Sequence, residues 1–95
     1  MAQEVRDNPE QKRFEILVDG NVAGRVEYDR RAGGVIELIH TEIDDAYEGQ
    51  GLGGKLARGA LDRVRADGEH VVASCEFIDG WITKHPDYED LRVPA

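Results

Sequence analysis

Gly49-Gln50-Gly51-Leu52-Gly53-Gly54 runs directly into Lys55-Leu56-Ala57-Arg58-Gly59-Ala60-Leu61-Asp62-Arg63-Val64, and this junction decides how the chain is read. Residues without a Cβ let a backbone turn sharply and aim several N–H groups at one anion. Beyond them, Leu56, Ala57, Ala60, Leu61 and Val64 form one helical stripe, with Lys55, Arg58, Asp62, Arg63 and Arg65 outside it. The spacing predicts a helix over 53–67, ended by Gly68 at a C-terminal cap. The start of such a helix carries partial positive charge, and Lys55 and Arg58 could pair with outlying phosphates. The plainer alternative is a loop that closes onto the helix, with glycine there for packing.

Upstream the period changes from helical to two. Arg13 to Val18 alternates with Phe14, Ile16 and Val18 on one face. Asp19-Gly20-Asn21 has the chemistry of a tight turn, and Val22 to Tyr28 resumes the alternation through Val22, Gly24, Val26 and Tyr28. After a second turn at Asp29 to Gly34, Val35 to Ile43 is the most apolar strand and is expected at the sheet's centre. Met1 to Gln11 is polar and reads as a frayed lead-in. Downstream, His70 to Cys75 reads as a short buried strand. Phe77 to Lys84 reads as a short helix with Phe77, Ile78, Trp81 and Ile82 inward, ending near His85 because Pro86 restricts it.

Strand 35–43, helix 53–67 and strand 70–75 form a strand–helix–strand unit, whose strands should be parallel with a right-handed crossover. Ligands bind outside the carboxyl ends of such strands. The glycine loop follows the first strand and Cys75 ends the second, so both fall on one edge of the sheet. The expected class is α+β: three antiparallel strands, the strand–helix–strand unit and a short C-terminal helix.

The 95 residues allow one domain (ordered core about 12–91) with a folded surface of about 5,500 Å². A single cysteine excludes a disulfide framework and suits a reducing cytoplasm. No apolar run reaches membrane-span length, and the first ten residues lack a signal-peptide core. Twelve basic against twenty acidic residues give a formal net charge of −8, which argues against binding to phosphate backbones. A cytoplasmic monomer with no nucleic-acid or membrane partner is the expectation. The three histidines and the cysteine fit no compact ligand spacing, so no metal is expected.

Gly49, Gly51 and Gly54 also fit the dinucleotide pattern G-x-G-x-x-G, with Glu76 beyond the next strand. That pattern belongs after the first strand of a larger parallel sheet, and here antiparallel strands precede it. Glu48-Gly49-Gln50-Gly51-Leu52-Gly53 resembles instead the acetyl-CoA loop of the GNAT acetyltransferases, R/Q-x-x-G-x-G/A, with Glu48 as the departure. The likeness extends from about Arg13 to Leu91 and sharpens to the small single-domain GNAT-like N-acetyltransferases (YjdJ-type). It rests on His40-Thr41-Glu42-Ile43, on Glu48 to Gly54, on Cys75 with Phe77-Ile78, and on Lys84-His85-Pro86-Asp87-Tyr88. Glu76 stands where that branch often has proline.

The resemblance implies an enzyme that moves an acetyl group from acetyl-CoA to an amine on a small molecule, peptide or protein. Thr41, Glu42 and Ile43 would run beside the pantetheine arm and polarise the thioester carbonyl through their N–H groups. Gly49, Gln50, Gly51, Leu52, Gly53, Gly54 and Lys55 would hold the pyrophosphate. Cys75 is the candidate nucleophile; an ordinary thiol is only about 3% ionised at pH 7, so it would need activation. The alternative is a buried small hydrophobe. His40 is a candidate general base or a hydrogen-bonded structural histidine. Tyr88 could protonate a departing thiolate or could be structural. Direct transfer and an acetyl-Cys75 intermediate both remain open, as does a CoA-binding module without efficient catalysis.

Overall fold

The computed structural model describes residues 2–94. Five strands, β1 (Gln3–Asn8), β2 (Arg13–Val18), β3 (Asn21–Arg31), β4 (Val35–Ile43) and β5 (His70–Ala73), form one sheet in the order β1-β2-β3-β4-β5. Helices α1 (Leu52–Ala66) and α2 (Glu76–Lys84) follow β4 and β5, with short 3-10 turns at Asp45–Tyr47 and Pro86–Leu91. The first four strands are antiparallel and β5 joins β4 in parallel, so the α+β class and the crossover stand. The surface is 5379 Å², close to the scaling value.

The lead-in is not frayed. β1 pairs with β2 from Gln3↔Val18 to Asn8↔Arg13, and Val5 lies on Gly59 of α1, where a Cβ would stand 2.6 Å from Val5 Cγ2. One apolar residue among five polar ones gave no alternation to read, because an edge strand needs only one side chain in the core.

Both helices contribute to one core on one side of the sheet. Phe14, Ile16, Val26, Tyr28, Ile36 and Leu38 meet Leu56, Ala60, Leu61 and Val64 of α1 and Ile78, Trp81 and Ile82 of α2. An antiparallel sheet can leave its other face in water, and here that face carries paired charges. Glu15, 1% exposed, accepts from Arg6, Asn8 and Arg13. Arg25 bridges Glu27 and Glu42, and Glu37 accepts from Arg31 and Ser74.

Three details depart from strict alternation. Val22 is 40% exposed because the β2–β3 register slips past Ala23, which takes the buried place. Phe77 is 44% exposed: it packs over Gly53 at the start of α1 while Ile78 and Ile82 fill the core. The third is in β4. Tyr28 pairs with Leu38 but Glu27 pairs with His40, so Ile39 is an extra, bulged residue. Ile36 and Leu38 face the helices before it; Thr41 and Ile43, opposite Val26 and Gly24, face them after it. β4 is thus interior, with β3 rather than β4 at the centre.

Candidate functional site

β4 and β5 are paired from Val35↔His70 to Leu38↔Ala73 and no further. The Cys75 N–H then donates to the Leu38 carbonyl at 3.0 Å, which turns the chain out of the sheet into α2. His40–Ile43 stays paired with β3 but, among the described residues, has no strand on its other side. Backbone N–H and C=O groups need partners, so such an edge can hold an extended ligand that carries amides.

This open edge borders a cleft of about 470 Å³. Thr41, Glu42 and Ile43 form the strand side, Asp45 and Tyr47 come from the 3-10 turn, and Glu48, Gly49, Gly51, Leu52 and Gly53 close the loop side. Asp44 holds that turn by accepting from the Ala46 N–H at 3.0 Å. A neighbouring cleft of about 340 Å³ shares Glu42, Ile43 and Asp45 but includes no loop glycine.

The loop glycines divide into two kinds. Gly49 (φ 81°) and Gly51 (φ 72°) hold left-handed backbone that a side chain would strain, and a Cβ at either would meet nothing within 4 Å. They shape the cradle. Gly53 and Gly54 serve packing: a Cβ at Gly53 would stand 3.0 Å from Phe77 Cζ, and one at Gly54 3.6 Å from Trp81 Nε1. Gly51 is the N-cap of α1 and supplies no side-chain bond, so the first-turn N–H groups lack a side-chain cap. Such uncapped amides at a helix start suit an anion such as a pyrophosphate. Leu52, 2% exposed, anchors the helix start in the core.

Other expected ligands are placed elsewhere. Gln50 is exposed and does not line the cleft. Lys55 Nζ donates to Gln3 Oε1 in β1 at 2.6 Å. Arg58 donates to Tyr88 Oη at 3.1 Å and lies over the Trp81 and Tyr88 rings. The cleft therefore has acidic walls at Glu42, Asp45 and Glu48 and no basic side chain.

Cys75 is buried (7% exposed) at the N-cap of α2, and its side chain caps nothing. Its Sγ instead lies 3.2 Å from Thr41 Oγ1, across the gap between the strands. His40 is not brought to it. The bulge at Ile39 pairs His40 with Glu27 on the open face of the sheet, opposite the thiol, and the imidazole is exposed. Tyr88 donates to Asp62 Oδ1 at 2.6 Å between α1 and the last 3-10 turn; burial and then this bond push its ionisation upward. His85 stacks on Trp81 at 3.8 Å and donates from Nδ1 to the Trp81 carbonyl, closing α2. Neither side chain lines the cleft. Sequence reasoning missed the side chain of Thr41, the wall formed by Tyr47 and the cover formed by Phe77. Only Tyr47, an aromatic just ahead of the glycines, left a signal.

A splayed pair of parallel strands with a glycine loop at its mouth defines a class. Residues 13–91 match the family model for the GCN5-related N-acetyl-transferase, and the chain belongs to that family. The solution structure of a GCN5-like protein from Staphylococcus aureus superimposes with a TM-score of 0.71 at 25% identity, covering 97% of this chain and 89% of that one. Protein NATD1 of Homo sapiens is 35% identical over 52 residues, which is 55% of this chain and 46% of that protein. Protein NATD1 of Xenopus tropicalis is 31% identical over 51 residues. The chain spans about half the length of the curated relatives it matches.

Among the described residues no helix is long and apolar enough to cross a membrane. No three His, Cys, Asp or Glu side chains among them gather where a metal ion could sit.

Proposed function

We propose that this chain binds acetyl-CoA in the 470 Å³ cleft and transfers the acetyl group to an amine, as a YjdJ-type member of its family. The observation that carries the reading is the open edge of His40–Ile43, which starts at the thiol of Cys75 and ends at the uncapped start of α1. The two amides of a pantetheine arm can pair along that edge, and the α1 N–H groups beyond Gly51 can take the pyrophosphate. Because Lys55 and Arg58 are engaged elsewhere and the walls are acidic, backbone donors do most of the holding. Dephospho-CoA is therefore expected to bind only moderately worse than CoA.

The position of Cys75 supports transfer in two steps. Its Sγ attacks the thioester carbonyl, the bond from carbon to the CoA sulfur breaks, and the thiol proton ends on that sulfur. An amine nitrogen then attacks the acetyl carbon, the bond to Sγ breaks, and Sγ takes a proton from the amine. This chemistry needs a reduced thiol, which suits a monomer acting in the cytoplasm.

Calorimetry with CoA, against NAD as control, tests the binding; no heat with CoA at millimolar concentration overturns it. Intact mass after acetyl-CoA treatment should show one acetyl group, mapped to the single thiol. A Cys75→Ala protein that still acetylates amines at the wild-type rate would move the mechanism to direct transfer.

A further inference from the structure

Thr41 occupies the one strand position from which a hydroxyl reaches the thiol. A regular strand continuing from Leu38 would turn residues 40 and 42 toward the helices. The extra residue at Ile39 shifts the faces by one, so Thr41 arrives there instead. The same side chain lines the cleft and touches Cys75 Sγ at 3.2 Å.

We propose that the Thr41 hydroxyl is the positioning group for the Cys75 thiolate, donating to Sγ from the wall of the cleft. The role rests on the acetyl-transfer reading for its purpose, but the contact itself does not depend on that reading. A thiol can donate or accept, whereas a thiolate only accepts. Once Cys75 ionises, the Oγ1–H of Thr41 must therefore be the donor. Among the described residues the hydroxyl bonds no other protein group, so it is free to turn that way. A Ser or Asp at the N-cap of α2 would spend its side chain on the helix N–H groups. Cys75 makes no such bond and reaches across the gap instead.

Most charged groups on the elements around the thiol have other partners. Glu76 and Asp79 are exposed on α2, and Asp79 accepts from Arg92. On β4, Glu42 pairs with Arg25, and His40 stands on the opposite face of the sheet. On α1, Lys55 and Arg58 are held by Gln3 and Tyr88. The N–H groups at the start of α2 also favour the thiolate, and Thr41 adds a side-chain donor to it at 3.2 Å.

The test is the rate at which iodoacetamide alkylates the only cysteine, followed against pH, which involves no acetyl-CoA. Thr41→Val should slow alkylation at neutral pH about five-fold, the worth of one net hydrogen bond, and move the rise in rate to higher pH. Thr41→Ser should restore the wild-type profile, since it keeps the hydroxyl. Thr41→Ala, without the added bulk, should repeat the Val result if that variant folds poorly. A hydroxyl-free variant whose profile superimposes on wild type, or a folded Thr41→Ser protein that behaves like Thr41→Val, overturns the assignment. If the profiles move as expected but no acetyl transfer is found, the positioning role stands and the acetyl-transfer reading fails.

Discussion

The two faces of this sheet are built from the same five strands and held together by different physics. Toward the helices, Phe14, Ile16, Val26, Ile36 and Leu38 are at most 1% exposed and pack against α1 and α2. Toward solvent, Arg6, Asn8, Arg13, Glu15, Arg25, Glu27 and Glu42 are joined by hydrogen bonds and ion pairs. Close packing is sensitive to volume and indifferent to pH; paired charges are the reverse. β4 is the strand that trades one face for the other at Ile39, and the candidate site lies where it does so.

The largest effect is expected on the covered face. Leu38→Ala removes a fully buried side chain and should cost about 3 kcal/mol, a fall of roughly 15 °C in Tm by calorimetry. The loss should be similar at pH 5 and pH 8. A strongly pH-dependent loss would break the contrast.

Gly59→Ala comes next. The new methyl would meet Val5 Cβ at 2.7 Å, so β1 must move off α1. About 3 kcal/mol of overpacking against about 1 kcal/mol gained in helix propensity leaves a net cost of about 2 kcal/mol. Denaturant melts measure it. Hydrogen exchange should show early opening confined to Gln3–Asn8, and a stabilised variant would contradict the docking of β1.

Glu15→Gln on the open face should cost about 1.5 kcal/mol, by leaving a buried amide against Arg13 and Arg6. Burial raises the carboxyl's pKa, but the bonds from Arg13, Asn8 and Arg6 outweigh that and hold it below its ordinary value of 4.5. The folded state therefore binds this proton less readily than the unfolded chain. Its contribution is complete above the ordinary carboxyl range and is lost as pH falls through the lowered value. Stability curves of the two proteins should converge as pH falls through that lowered value; parallel curves down to the acid limit would remove Glu15 from the account.

Local chemistry determined much of this protein. The helical stripe from Leu56 to Val64, the turn at Asp19-Gly20 and the cap at Gly68 (φ 70°) depend on neighbours in the chain, and each is present. The parallel crossover followed from connection length alone. The glycine run was legible as a loop at a helix start because positive φ is a property of the residue itself.

What tertiary structure decided lies wherever a partner distant in sequence was needed. Gln3–Asn8 became a strand because Gly59, more than fifty positions on, left room for Val5. Gly53 turned out to answer to Phe77, and Lys55 and Arg58 to Gln3 and Tyr88, rather than to the mouth of the cleft. In Val35–Ile43 the bulge leaves only the adjacent apolar pair Leu38-Ile39 as its trace, and that pair does not by itself say which of the two turns outward. The bulge falls just beyond Leu38↔Ala73, where β5 departs while β3 and β4 stay paired. That shift, set by pairing in the folded sheet, put Thr41 beside Cys75 and sent His40 to the other face.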